Sequence, residues 1–215
     1  MTHYEFDIAE PYVNEFFRPI RNKSQVIELL MKSIKYMLIN PTVDRKINSG
    51  KLILYVNKMC RLFFVMPGKY FSISFPFHVL KDKEGIFTFS YRGEMDIDSE
   101  VTSEVISLLN DKSFNSGCSL EFVGRIYQYQ ENSYNDYYWE FLKELFFMED
   151  GYLRYDYDKK SYQQHLLKGT PNIHPLNHYD IFYSNNSTFK IGLRKEILED
   201  EFIDFVNIRT DCKFI

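Results

Sequence analysis

"KLILYVNKMCRLFFVMPGKYFSISFPFHVLKDKEGIFTFSY", residues 51–91, contains four short runs of β-branched and aromatic residues. The runs are KLILYVN, CRLFFVM, YFSISFPF and GIFTFSY, and residues such as Asn, Pro and Gly separate them. Runs of this kind with turn residues between them are typical of strands joined by short connections. The stretch therefore predicts an antiparallel meander of four strands.

Other parts of the chain have helical or mixed patterns. Apolar residues recur at helical spacing over 24–39, over 96–111 with Asp98 or Ser99 as the candidate N-cap, and over 137–148. In chain order, the remaining predictions are a strand at 118–130, a strand at 152–158, a connecting loop at 159–177, a strand pair at 178–194 and a closing helix at about 195–206. This order predicts an α+β fold with largely antiparallel sheet, and about four helices packed on one face.

The composition supports a globular chain built on strands. The 215 residues fit a single α+β domain over 1–215, with a helical appendage at 1–40 as the alternative. Aromatic residues make up 18% of the chain, from 20 Phe and 17 Tyr, with one Trp. Aromatic side chains suit the half-buried surface of a pleated sheet.

Charge and cysteine content exclude several classes of protein. The net charge of −4 gives no overall positive field that would attract nucleic acid, although local basic patches remain open. The three cysteines are scattered and include no C-x-x-C pair, so the sequence predicts a reducing cytoplasm rather than a disulfide framework. No apolar run is long enough for a membrane span, and the start of the chain has no signal-like segment. We therefore expect neither secretion nor membrane insertion.

The strongest functional pattern lies near the C-terminal end. In YLRYDYD, residues 152–158, a period of two places Arg154, Asp156 and Asp158 on one face of the strand. A hairpin with a three-residue loop at 185–187 would group its polar residues in the same way. That polar face would carry His178, Asp180, Lys190 and Arg194. Either the two strand faces form one site, or they are a solvated sheet face.

Two histidines and nearby cations would suit phosphodiester cleavage. The reaction needs a base for the 2′-hydroxyl proton, an acid for the leaving oxygen and a cation for the charge on phosphorus. His178 and His174 are the candidate acid–base pair, and Arg154 and Asp156 complete the candidate catalytic set. The candidate phosphate-binding residues are Arg194 and Lys190.

A metal-dependent form of this site is the second possibility. Asp156, Asp158 and Asp180, with His178, could supply oxygen and nitrogen ligands to a divalent metal such as Mg²⁺ or Mn²⁺. The alternative is that no cofactor is bound. The spacing of His174 and His178 is not a zincin motif, because the glutamate is missing and Pro175 lies between the histidines. Phosphate-loop, dinucleotide-binding and nucleophile-elbow motifs are also missing from the sequence.

YLRYDYD followed by HPLNHYD, residues 174–180, resembles the Arg-x-Asp and His-Pro-x-x-His patterns of small bacterial proteins encoded in defence or toxin–antitoxin neighbourhoods. The resemblance covers about residues 152–194. It implies a cytoplasmic component of a conflict system, and its motif falls on Arg154, Asp156, His174 and His178. Such a component would be either a ribonuclease-like toxin or a partner subunit of another defence protein.

Two hypotheses about function follow. In the first, the polar face is a phosphate-directed site that cleaves RNA or a nucleotide. In the second, the chain is a non-catalytic subunit of a multi-component complex, and this face contacts a protein partner encoded in the same operon. Both hypotheses depend on Arg154 and His178 lying on one surface.

Overall fold

The computed structural model describes residues 2–39, 41, 43, 50–111, 136–184, 187–207 and 209–211. The elements in chain order are β1 (His3–Asp7), α1 (Glu10–Phe16), α2 (Lys23–Ile39), β2 (Lys51–Tyr55), β3 (Arg61–Met66), β4 (Lys69–Ser74), β5 (His78–Lys81), β6 (Phe87–Tyr91), β7 (Met95–Asp96), α3 (Ser99–Asn110), α4 (Asp136–Phe147), β8 (Leu153–Tyr157), α5 (Lys159–Leu167), a 3₁₀ turn (Pro171–Ile173), β9 (Asn177–Ser184), β10 (Ser187–Leu193) and α6 (Glu199–Phe205). The α+β class with antiparallel sheet is confirmed, and the described residues form six α-helices rather than about four.

Seven strands form one antiparallel sheet in the order β1-β2-β3-β4-β8-β9-β10. The first three predicted strands of the meander are β2, β3 and β4, and they pair consecutively as expected. The fourth predicted strand, β6, instead pairs with β5 and β7 in a separate three-stranded sheet. The prediction of one continuous meander is therefore wrong at its last strand. On its other side β4 pairs with β8, which lies far downstream in the sequence.

One face of the large sheet carries an apolar core over its central strands. Its core joins side chains of β2, β3, β8 and β9 to Phe202 of α6, which is fully buried. The buried members are Ile53, Phe63, Val65, Leu153, Tyr155, Tyr179 and Phe202. Tyr155 also satisfies its hydroxyl group in this core, because it donates a hydrogen bond of 2.8 Å to Asn177. Helix α6 is therefore the layer that covers this face.

The opposite face is apolar on β2, β3 and β4 and charged on β8, β9 and β10. A single row of paired positions runs Leu52, Phe64, Phe71, Arg154, Asp180 and Lys190 from β2 to β10. Its apolar half packs against α1 and the residue after it, with Phe16 contacting Phe64 and Phe17 contacting Phe71. Its charged half lies on β8, β9 and β10. The candidate site is therefore built into the sheet beside a packed apolar surface.

The chain divides into two compact units, and the large sheet with α1, α5 and α6 belongs to the first, residues 1–22, 42–75 and 150–215. The second unit, residues 23–41 and 76–149, contains α2, α3, α4 and the three-stranded sheet. Of the two candidate N-caps of α3, Asp98 is the cap, because its side chain accepts hydrogen bonds from two backbone N–H groups of the first turn. The single-domain assignment for 1–215 stays a prediction.

Three predicted helices and one predicted strand match elements of the structure. Helices α2, α3 and α4 and strand β8 confirm the predictions at 24–39, 96–111, 137–148 and 152–158. The strand predicted at 118–130 lies outside the described residues. Within the described ranges, no helix combines the length and the apolar character that a membrane crossing requires.

The segment predicted as a connecting loop at 159–177 is mostly helical. It contains α5 and the 3₁₀ turn, and Asp158 caps α5 by accepting a hydrogen bond of 2.9 Å from the Ser161 N–H. Helix α5 has no buried residues, so its sequence lacks the apolar stripe by which helices are recognised. The loop prediction is wrong for this reason.

Gly151, just before β8, has a positive φ of 57° and little space for a side chain. A Cβ there would lie 2.6 Å from Ser74 Oγ and 2.8 Å from Arg61 Nη1. We expect Gly151→Ala to lower the free energy of unfolding by about 2–4 kcal/mol, since backbone strain and overpacking add. Gly169→Ala is the matched control, because φ is 73° but nothing lies within 4 Å. Chemical denaturation measures the free energy of unfolding of both variants, and the difference between them is the contribution of the steric contacts at Gly151. Equal losses of stability in the two variants would contradict this explanation.

Candidate functional site

Arg154 is the centre of the charged half of the sheet. Its Nε donates a hydrogen bond of 2.6 Å to Asp156 on the same strand, and its Nη2 pairs with Asp180 on β9. Nη1 donates to the Tyr152 hydroxyl at 3.2 Å. The side chain is only 15% exposed. All three guanidinium nitrogens are thus engaged within the protein, and Arg154 holds two buried carboxylates in place.

His178 lies beside these carboxylates in a fixed tautomer. Its Nδ1 is 2.8 Å from the Pro175 carbonyl oxygen, which can only accept a hydrogen bond. Its Nε2 is 2.9 Å from Lys190 Nζ, and an ammonium group can only donate. The proton of His178 is therefore on Nδ1, and the Nε2 lone pair faces Lys190. The ring is neutral and almost completely buried, with 1% of the residue exposed.

Gly192 explains how Pro175 reaches this position. Gly192 pairs with His178 on the neighbouring strand, and a Cβ at Gly192 would lie 3.0 Å from Pro175 Cγ. The missing side chain leaves space for Pro175 to lie against the sheet. The backbone carbonyl that fixes the tautomer of His178 is held by this contact.

Two lysines complete the charged cluster. Lys190 Nζ donates to Asp180 Oδ1 at 2.5 Å, and Lys69 Nζ on β4 lies 3.8 Å from Asp156 Oδ1. With Arg154, three cationic groups surround two carboxylates and a neutral imidazole. The cluster therefore has a net charge of about +1, a balance that suits an anionic ligand.

The pKa shifts follow from this arrangement. Burial alone would raise the pKa of Asp180, but the hydrogen bond from Lys190 and the charge of Arg154 outweigh it, so the pKa lies below its ordinary value. Burial and the charge of Lys190 lower the pKa of His178. Asp180 is therefore ionised and His178 is neutral around pH 7, which agrees with their hydrogen bonds.

His174 forms a separate pair at the edge of the cluster. Its Nε2 is 3.0 Å from Asp158 Oδ2, and its ring contacts the ring of His178 edge to face with 4.7 Å between centroids. On its other side the ring stacks on His165 at 5.9 Å. A carboxylate only accepts, so Nε2 carries a proton and the lone pair of the neutral ring is on Nδ1. The Asp158–His174 pair thus has the arrangement of an oriented general base.

Most of the predicted site residues come together. Arg154, Asp156, His178, Asp180 and Lys190 form one hydrogen-bonded group, which confirms that the polar residues of β8, β9 and β10 share a face. The three other predicted residues lie outside this group, and one of them, His174, pairs with Asp158. Asp158 follows the end of β8, where it caps α5, and Arg194 follows the end of β10. In the described chain, no hydrogen bond or ion pair joins Arg194 to the group.

The hairpin reaches the predicted facing by a different route. Strand pairing begins at Ser184 and Ser187, so the connection has two residues and the predicted three-residue loop at 185–187 is wrong. A bulge between positions 187 and 188 then shifts the register. The shift places Lys190 opposite Asp180 and Ile191 opposite Tyr179, so polar and apolar residues still separate by face.

Sequence reasoning missed Lys69 and Tyr152. Lys69 pairs with Asp156 across the β4–β8 ladder, and the Tyr152 hydroxyl contacts Arg154. Burial raises the pKa of Tyr152 to about 12, so its hydroxyl stays protonated. The alternation of β4 would place Lys69 on the same face as Phe71, but only the pairing of β4 with β8 reveals its contact with the cluster.

Asp156, His178 and Asp180 form a buried group that could hold a metal ion. One ligand atom from each residue lies within 4.8 Å of the others. His178 Nε2 is 3.9 Å from Asp156 Oδ2 and also 3.9 Å from Asp180 Oδ1. Asp158, the third predicted carboxylate ligand, is not part of this group.

Comparison with protein-family models, with curated proteins and with solved structures gives no match.

Proposed function

We propose that the charged half of the sheet, with His174 at its edge, is a phosphate-directed acid–base site that cleaves RNA or a nucleotide. The Asp158–His174 pair carries this proposal, because it orients a partly exposed imidazole next to a cluster with excess positive charge. Cations beside an oriented base are what phosphodiester cleavage requires.

In this proposal His174 is the general base, Lys190 is the general acid, and His178 and Arg154 are positioning residues. Nδ1 of His174 takes the proton of the ribose 2′-hydroxyl, and the 2′-oxygen forms a bond to phosphorus. The bond from phosphorus to the 5′-oxygen breaks, and the leaving oxygen takes a proton from the ammonium group of Lys190. The neutral Nε2 of His178 accepts a hydrogen bond from Lys190 and orients its ammonium group. Arg154 touches no substrate and keeps Asp156 and Asp180 in position.

His174→Ala tests the proposal. The purified chain is incubated with an RNA oligonucleotide, with the same oligonucleotide in 2′-deoxy form, and with a nucleoside 2′,3′-cyclic phosphate. We expect wild type to cleave the RNA oligonucleotide and to leave its 2′-deoxy form intact. The cyclic phosphate is opened with water as the nucleophile, and His174 Nδ1 takes the proton of that water. We expect His174→Ala to lose about 10²–10⁴-fold in rate, the usual contribution of a general base.

His165→Ala is the matched control. His165 stacks on His174, but its Nδ1 is hydrogen-bonded to Thr170 rather than to a carboxylate. We expect this variant to keep most of its activity. Wild type without activity on any of the substrates, or equal rates for wild type and His174→Ala, would refute the acid–base function.

A metal-dependent form of the same site is the second candidate. The Asp156–His178–Asp180 group supports it, since carboxylate and imidazole ligands suit Mn²⁺ and, less well, Mg²⁺. In this form the ion would bind phosphate oxygens or activate a water molecule.

A non-catalytic interaction subunit is the third candidate. Helix α5 buries none of its residues, and the apolar side chains of Leu166, Leu167 and Ile173 are all more than half exposed. Such residues beside a charged surface would suit a protein partner. Assignment to a bacterial defence or toxin–antitoxin system depends on the resemblance alone and stays a prediction.

A further inference from the structure

We propose that the ammonium group of Lys190 is a displaceable occupant of a binding site for a divalent transition metal formed by Asp156, His178 and Asp180. The inference deepens the metal-dependent form of the proposed function and rests on the same site. It goes further by naming the class of metal and the residue that controls its binding.

Two of the three pairs of ligand atoms have the spacing that one ion needs, and all three atoms lie within 4.8 Å of one another. Two ligand atoms that are each about 2.1 Å from an ion can lie no more than about 4.2 Å apart. Both distances from His178 Nε2, to Asp156 Oδ2 and to Asp180 Oδ1, are 3.9 Å. An imidazole nitrogen with two carboxylates favours Mn²⁺, Co²⁺ or Zn²⁺ over Mg²⁺ and Ca²⁺, which prefer oxygen ligands alone.

The groups around the ligands fit the same interpretation. A histidine that binds metal through one nitrogen usually donates the other N–H to a carbonyl or carboxylate. The Nδ1 of His178 donates to the Pro175 carbonyl in this way. Arg154 holds Asp156 Oδ2 and Asp180 Oδ2, so Asp180 Oδ1 faces the place between the ligands. The ligand orientations are therefore fixed before any ion binds.

Lys190 uses the lone pairs that a metal would need. Its Nζ lies 2.5 Å from Asp180 Oδ1 and 2.9 Å from His178 Nε2. Because each of these atoms directs its lone pair at the ammonium group, Lys190 and a metal ion cannot occupy the position together. The lysine is a stand-in cation that satisfies two buried acceptors.

Lys190 can leave this position without a change in the backbone. It belongs to β10, which is the last strand of the sheet among the described residues, and its side chain is 31% exposed. Rotation about the side-chain bonds would place the ammonium group in water. Metal binding would thereby release a cation next to the site, where it can pair with a substrate phosphate. Metal and phosphate would then bind cooperatively.

The test uses Co²⁺ alone, because its visible absorption reports coordination by nitrogen and oxygen. Wild type, Lys190→Met and Lys190→Gln are titrated by absorption and by calorimetry. Loss of a charged hydrogen bond to a buried carboxylate corresponds to about a tenfold to hundredfold change in a binding constant. We expect both variants to bind Co²⁺ more tightly than wild type by about this factor, and their melting temperatures to rise when Co²⁺ is added.

Two further variants separate the inference from a general loss of positive charge. Lys195→Met removes an exposed lysine whose partner is Glu201, and it should bind Co²⁺ as wild type does. Lys190→Met/Asp180→Asn should lose the tight binding. Equal affinity of Lys190→Met and wild type, or tight binding that survives Asp180→Asn, would overturn the inference. No RNA is present in these titrations, so a failure of RNA cleavage leaves their result unaffected.

Discussion

Replacing Arg154 by methionine is expected to lower the free energy of unfolding by about 3–5 kcal/mol, the usual cost of removing one partner from a buried ion pair. The guanidinium group contacts both Asp156 and Asp180, and each of these residues is 7% exposed. Without it, two carboxylates remain buried side by side and repel each other. Lys190 and Lys69 can compensate only in part, because Lys69 is 3.8 Å from Asp156.

The charge explanation is tested by removing the carboxylates as well. The triple variant Arg154→Met/Asp156→Asn/Asp180→Asn leaves no buried carboxylate without a partner. Lys190 and Lys69, which lose their carboxylates, are 31% and 28% exposed and can turn to water, so we expect the variant to recover most of the loss. Arg92→Met is the control, because Arg92 pairs with Glu144 at a surface where its side chain is 58% exposed. We expect that change to cost about 0–1 kcal/mol. Urea denaturation of all variants measures these differences, and a triple variant as unstable as Arg154→Met would contradict the charge argument.

A consequence for function is that Arg154 acts through other residues. Its nitrogens already donate to Asp156, Asp180 and Tyr152, so it is a positioning residue rather than a phosphate ligand in this structure. The groups of this surface with more access to a substrate include His174, Lys69 and Lys190, whose side chains are 19%, 28% and 31% exposed. The catalytic role predicted for Arg154 from its motif remains a hypothesis. The contacts in the structure support a different role, in which Arg154 holds Asp156 and Asp180 in position.

The sequence predicted the polar face because alternation along a strand is a local property. Arg154 and Asp156, and likewise His178 and Asp180, are two residues apart, so each pair shares a face wherever its strand lies. The alternation of polar and apolar residues along a strand therefore separates its two faces even when the pairing register with the next strand is predicted wrongly. This is why the bulge in the β9–β10 hairpin left the facing of Lys190 as predicted.

The parts that were missed depend on contacts between distant segments. The β4–β8 pairing joins strands separated by the whole of the second sheet and by α3 and α4, and no local pattern specifies it. The contact of Lys69 with Asp156 follows from that pairing. Helix α5 was missed for a different reason, since it has no buried face and its start is fixed by the Asp158 cap. A short, exposed helix gives only a weak periodic signal.

Replacing Phe202 by alanine is expected to cost about 3–5 kcal/mol, as is usual for a fully buried phenylalanine. Phe202 is the residue of α6 that is completely buried, and its ring lies about 6 Å from those of Phe63, Tyr70 and Tyr179, with centroid distances of 6.2, 6.0 and 6.2 Å. These residues are in three different strands. The substitution therefore leaves a cavity at the point where the helix holds the apolar face of the sheet together.

Phe205→Ala provides the matched control in the same helix. Phe205 stacks on Tyr179 with 5.0 Å between centroids but is only partly buried, so its loss should cost roughly 1–2 kcal/mol. The charged cluster lies on the opposite face of the sheet, because Asp156 and His178 alternate with Tyr155 and Tyr179. We therefore expect Co²⁺ affinity in a Lys190→Met background to be unchanged by Phe202→Ala wherever the protein is folded. Equal destabilisation by the two phenylalanine substitutions would show that α6 is not anchored at Phe202, and a parallel loss of metal affinity would show that the two faces are coupled.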